Sequence, residues 1–214
     1  ASGATPASDT YRVRTKVDLK GLTAIRLETL PDASLPDGGS GREKEVGNFH
    51  LHGFRAKLID SDGNEQRLTF SGAVADFSHY SEIESVLDSD PKKFWTTWLQ
   101  HKKPNYAVFL TDAFPRQGDV AELEVEIDSG LSIGRTLGRF RLSATSAPLK
   151  TVQHEAMVLL RRIQREHPDD YWANYSLAML LTQQGSSRIE EGIHYASLAL
   201  SQRPDSPLAH AAMI

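Results

Sequence analysis

The stretch RFRLSATSAPLKTVQHEAMVLLRRI, residues 139–163, decides how this chain folds, because two kinds of regularity meet inside it. Residues 139–144 read as a strand, the last of several short runs rich in Val, Ile, Leu, Phe and Thr. Beyond Pro148 the spacing changes. Val152, Ala156, Leu159, Leu160 and Ile163 recur at the steps of one helical stripe. The change of period predicts a sheet-built part over residues 1–147 and a helical part over residues 148–214.

Working back from the junction, strands are expected at residues 11–18, 23–30, 48–59, 66–70, 106–110, 120–127 and 139–144. YRVRTKV and AELEVEI alternate apolar and polar residues, as half-buried strands do. SDGN at 61–64 is a turn signal between FRAKLI and QRLTF, which predicts a hairpin. Short strands with turn-rich connections and hardly any helix favour an antiparallel sandwich or jelly roll. Between two of these strands lies LPDASLPDGGSGREKEVGNF, residues 30–49. Pro31 and Pro36 stiffen it by fixing φ, and Gly38, Gly39 and Gly41 permit backbone angles that side chains forbid. It reads as a structural connection; as a functional loop, its backbone and Arg42 would line a ligand edge.

Forward of the junction, His167-Pro168 ends the first helix, because the residue before proline is pushed out of the helical region. Asp169 or Asp170 caps the second, and Gly185 ends it in the left-handed conformation. IEEGIHYASLALSQRPDS is the third helix, with Pro204 after its end, and Ser206 begins a fourth.

The chain has 214 residues, 39% apolar and 24% charged, which suits a globular protein of one large or two modest domains. A net charge of -4 gives no electrostatic reason to expect nucleic acid or an anionic membrane as partner. The absence of cysteine excludes disulfides and thiolate zinc sites and leaves the compartment open. No apolar run approaches the roughly 20 residues a membrane helix needs. The start lacks Met, a basic segment and an apolar core, and the end stops within a predicted helix, so the chain reads as a fragment of a longer protein.

The helical part resembles a tetratricopeptide repeat array. Leu177-Ala178 sits where that family has Leu-Gly, Leu181 where it has an aromatic, and Gly185 where it has its turn glycine. Gly192, Ala199 and Pro204 fall where it has Ala, Ala and Pro. The interval from Pro168 to Pro204 is about two residues longer than the usual repeat, and Gly192 in place of alanine is a second departure. The resemblance implies one complete repeat flanked by single helices of its neighbours. Roughly three repeats are needed for independent stability, so the array either continues past Ile214, the favoured expectation, or leans on the sheet-built part.

The sheet-built part resembles a module of large planctomycete proteins. The resemblance rests on residues 25–28 (Ile-Arg-Leu-Glu), 30–32 (Leu-Pro-Asp), Leu35-Pro36, Gly41-Arg42, 47–49 (Gly-Asn-Phe) and Phe54-Arg55. It continues through ADFSHY at 75–80, SVLDSDPKKFWTTW at 85–98 and TLGRFRLSAT at 136–145; Glu45 and Gly53 depart from it. DSDPKKFW also resembles the Asp-Gly-Asp-Pro-x-x-x-Trp turn of galactose-binding-like (discoidin-type) jelly rolls, a fold group containing many carbohydrate-binding modules.

The candidate residues each carry a bland and a functional reading. Asp88 and Asp90 place alternating oxygens in a turn, as calcium requires and as the resemblance allows for a structural calcium; otherwise they bond the turn backbone. No other cofactor is expected. Trp95 and Trp98, with His101, offer aromatic faces for a sugar ring, or else pack in the core; HKK at 101–103 is most simply a solvated turn. His50 and His52 share one strand face, a start for a metal site that lacks a third ligand. His154, His167, His194 and His210 lack the metalloprotease spacing, and Glu122, Glu124 and Glu126 form one wet strand face. Tyr171, Trp172 and Tyr175 are candidates to anchor a protein partner in a repeat groove, or else pack internally. No nucleophile elbow, phosphate loop or dinucleotide fingerprint is present, and no catalytic residues are assigned. The expected function is a non-catalytic binding module of a larger bacterial protein, its sandwich taking carbohydrate and its repeats taking protein. The alternative is a scaffold that positions a catalytic domain, such as a kinase or haem domain. An enzyme is the third possibility, and no residues propose a reaction for it.

Overall fold

The structure is a computed structural model describing residues 3–17, 21–88, 90, 92–111, 120–130, 134–182 and 188–213, with backbone alone at 120 and 121. The predicted cap at Gly185 lies outside these residues, as do Asp18 and Pro91. The chain divides into two compact units, residues 1–149 and 150–214.

Among the described residues the first unit holds eight strands: β1 (Asp9–Lys16), β2 (Ala24–Thr29), β3 (Leu51–Asp60), β4 (Glu65–Arg67), β5 (Phe70–Ala75), β6 (Asn105–Thr111), β7 (Val120–Ser129) and β8 (Phe140–Thr145). They form two antiparallel four-stranded sheets, ordered β1-β7-β3-β4 and β5-β6-β2-β8. Among the described strands, every consecutive link except β3–β4 and β5–β6 passes from one sheet to the other.

Alternation explains how each strand is used. On β3 and β7 the inward set is Phe54, Ala56 and Leu58 against Ile127, Val125 and Leu123. On the second sheet it is Ile25 and Leu27 of β2 against Phe109 and Ala107 of β6. All of these belong to one buried cluster, and Phe54 stacks on Phe109 with ring centres 3.7 Å apart, so the two sheets share a core. Each large side chain fully buried there contributes about 1.5–3 kcal/mol. The other face of the first sheet is an ionic lattice. Glu126 of β7 lies between Arg12 of β1 and Arg55 of β3, and Glu124 pairs with Lys57 at 2.9 Å. Glu122, Glu124 and Glu126 thus form the charged outer face that their spacing predicts.

One expectation changes in detail and another holds. The strand expected at 66–70 is two strands in different sheets. Arg67 still pairs with β3, whereas Phe70 pairs with Thr111 of β6. The predicted hairpin at 61–64 is present: Asp60 and Asn64 close it, and the Asp60 carboxylate accepts the amides of Asp62 and Asn64.

The second unit has helices α1 (Leu149–Glu166), α2 (Tyr171–Thr182), α3 (Ile189–Gln202) and α4 (Pro207–Ala211). The Asp170 carboxylate accepts the Ala173 amide at 2.8 Å and starts α2, and Ser206 caps α4 in the same way. Helix α2 is buried on several faces, with Leu177, Ala178 and Leu181 fully covered. Small residues set its distance from α3. A Cβ at Gly192 would stand 2.8 Å from Thr182 Cγ2 and 3.3 Å from the Ala178 carbonyl oxygen. Among the described residues no helix is long and apolar enough to cross a membrane.

Candidate functional site

Two segments singled out in the sequence, residues 30–49 and 85–98, meet in the sheet-built unit. Leu51 and Trp95 exchange backbone hydrogen bonds of 2.9 and 2.8 Å. The Thr96 hydroxyl donates to the buried Asn48 side-chain oxygen at 2.8 Å, and Lys102 pairs with Asp37 at 2.8 Å.

Several sequence candidates serve this join. Trp95 is fully buried, lies edge-on to Phe49, and donates its indole N–H to the Phe77 carbonyl at 3.0 Å. Arg42, 6% exposed, donates through Nη2 to the carbonyls of Gly3 and Ala4 at 2.8 and 2.9 Å and ties down the start of the described chain. Trp98 is half-buried and stacks at 5.0 Å on His101. The expected solvated turn at 101–103 is therefore wrong at its first residue: His101 is 7% exposed, and burial lowers its pKa. Asp37 stands 3.8 Å from its Nε2. Leu99 beside it is exposed at φ +77.

Asp88 pairs with Lys93 at 3.0 Å, and Asp90 accepts the Lys92 amide at 2.9 Å. Among the described residues no group of three His, Asp or Glu gathers where a metal ion would sit. In the second unit, Tyr171 and Tyr175 are buried among Ala178, Ala196 and Ala199, and Trp172 is half-buried. The Arg203 guanidinium lies over the rings of Tyr171 and Trp172, 4.4 and 4.7 Å from their centres.

The surface with most unspent chemistry is centred on His50 and His52. Phe94 stacks on His50 at 3.8 Å and lies 5.6 Å from His52, and Tyr80 stands 6.2 Å from Phe94. Tyr80 is 60% exposed and held at φ +73, a conformation that costs a bulky residue about 1–3 kcal/mol. Backbone bonds from His79 to Thr96 and from Ser81 to His79 hold it there.

Hydrogen-bond roles follow from partners that have only one role to offer. Arg135 Nη1 can only donate, so His50 Nε2 accepts at 3.0 Å and its proton sits on Nδ1. The Lys93 carbonyl can only accept, so His52 Nδ1 donates at 3.1 Å and its Nε2 carries a lone pair. Burial, then Arg135, pushes His50 down to about 3; burial also lowers His52, so both rings are neutral at pH 7. Among the described residues, His52 Nε2 and Arg135 Nε are buried polar atoms without a hydrogen-bond partner, one an acceptor and one a donor. The His-x-His spacing pointed to this place. Phe94, Tyr80 and Arg135 did not show in the sequence, because a cluster of residues so far apart in the chain leaves no local pattern.

No protein-family model, no curated protein and no solved structure matches this chain.

Proposed function

We propose that the chain is a non-catalytic binding module of a larger bacterial protein: a galactose-binding-like jelly roll that takes a carbohydrate, joined to tetratricopeptide-type helices that take a protein or peptide. The shared core of two sheets and the repeated crossing between them support the first fold assignment. The close approach of α2 and α3 at Gly192 supports the second.

One observation carries the carbohydrate reading: Tyr80, largely exposed and held in a strained backbone conformation beside the Phe94–His50 stack. A sugar presents C–H faces to aromatic rings and hydroxyls at its edge. Glycan-array screening followed by calorimetry tests this. The expected result is binding of at least one glycan class, weakened about tenfold or more by Tyr80→Ala and by Phe94→Ala and little changed by Trp98→Ala. A scaffold role is the second reading, favoured by the burial of Arg42 and Trp95. An array without binding would leave that role standing, and binding indifferent to Tyr80 and Phe94 would move the sugar away from the Phe94–His50 stack.

A further inference from the structure

Helix α1 presents a groove that none of the aromatic candidates touches. It has a volume of about 480 Å³ and runs along one face of the helix, where Lys150, His154, Val158 and Arg161 follow one another at three- and four-residue steps. Met157 is buried at its floor, and Val158, 51% exposed, lies open to it. Arg188, immediately before α3, forms the far wall.

Its charge is one-sided. Among the described residues no carboxylate lines the groove. Arg161 and Arg188 share one carboxylate, Glu191, at 2.5 and 2.9 Å, so two guanidinium charges meet one anion. Arg161 Nε is buried without a hydrogen-bond partner among the described residues. Lys150 is exposed and makes no ion pair among them. In a chain of net charge -4, an acidic partner is repelled by the molecule at large and attracted here.

We infer that this groove docks an acidic peptide segment of a partner protein, with carboxylates on Lys150, Arg161 and Arg188 and one aliphatic side chain on Met157 and Val158. This rests on the reading of the helical unit as protein-binding and names the partner's chemistry. It places that partner on α1 and the start of α3 instead of on Tyr171, Trp172 and Tyr175.

The test uses the full chain and fluorescein-labelled nonapeptides rich in Glu and Asp with one central Leu, read by anisotropy at low and high salt. Binding should fall with salt and fall about tenfold or more in Lys150→Glu. It should weaken in Val158→Ser and persist in Trp172→Ala. Equal binding of a peptide with Gln throughout, no acidic-peptide binding, or displacement by single-stranded RNA of equal charge would overturn the inference. So would binding unchanged in Lys150→Glu and lost in Trp172→Ala, an outcome that keeps a protein-binding helical unit and moves its partner to α2.

Discussion

At Gly41 two passes of backbone come close together. A Cβ there would lie 1.9 Å from the Asn48 carbonyl oxygen, and one at Gly47 would lie 2.0 Å from that of Pro36. The sequence marked Gly38, Gly39 and Gly41 as residues that permit unusual backbone angles. That reason holds for Gly38, at φ +64, whereas Gly39 and Gly41 are needed for close approach. Gly41→Ala should therefore destabilise the sheet-built unit by more than about 2 kcal/mol, read as a shift in denaturant midpoint, while Gly63→Ala, in open space at a hairpin, costs less. The sequence left Trp95 open as a sugar-stacking face or a core residue, and its full burial puts it in the core. The role of Arg42 was not legible, since its partners are the carbonyls of Gly3 and Ala4, and backbone atoms leave no mark on a side-chain pattern.

At the level of elements, period and punctuation located the four described α-helices and most of the described strands, and missed the 3-10 turn at Ile83–Leu87. They failed between Arg67 and Phe70, where the chain changes sheet without a Gly or Pro to announce it. Local pattern reports a half-buried strand but not which sheet it joins. The α2–α3 pair shows the reverse case, in which a departure from the proposed repeat pattern has a local cause. Thr182 is β-branched, and its hydroxyl donates to the carbonyls of Ala178 and Met179, so its methyl group is fixed against Gly192. Gly192→Ala, the residue a tetratricopeptide repeat would carry, should cost about 1 kcal/mol here despite its better helix propensity. The same change in a Thr182→Ser background should be neutral or stabilising. Thermal melts of the four proteins give the coupling, and additive effects would contradict the close-packing account.

Over the whole molecule, buried titratable groups set opposing pH responses. Burial pushes Glu84, in the short 3-10 turn at Ile83–Leu87, up to about 7 and Asp76 up to about 6. Their contribution is full below the ordinary carboxylate range and is lost as pH rises through those values. His50, held down to about 3, acts the other way: its contribution is present above 6.5 and lost as pH falls. Glu84→Gln should accordingly gain stability on the wild type between about pH 5 and about pH 8, and parallel denaturation curves across that range would exclude the buried-acid account. The positions of the three tryptophans have one more consequence. Trp95 is sealed in the sheet-built unit, Trp98 faces an imidazole, and Trp172 lies under a guanidinium in the helical unit. The protein therefore carries intrinsic optical probes of distinct colour and quenching in each half, so emission spectra of single-tryptophan variants would follow the melting of each half without any label.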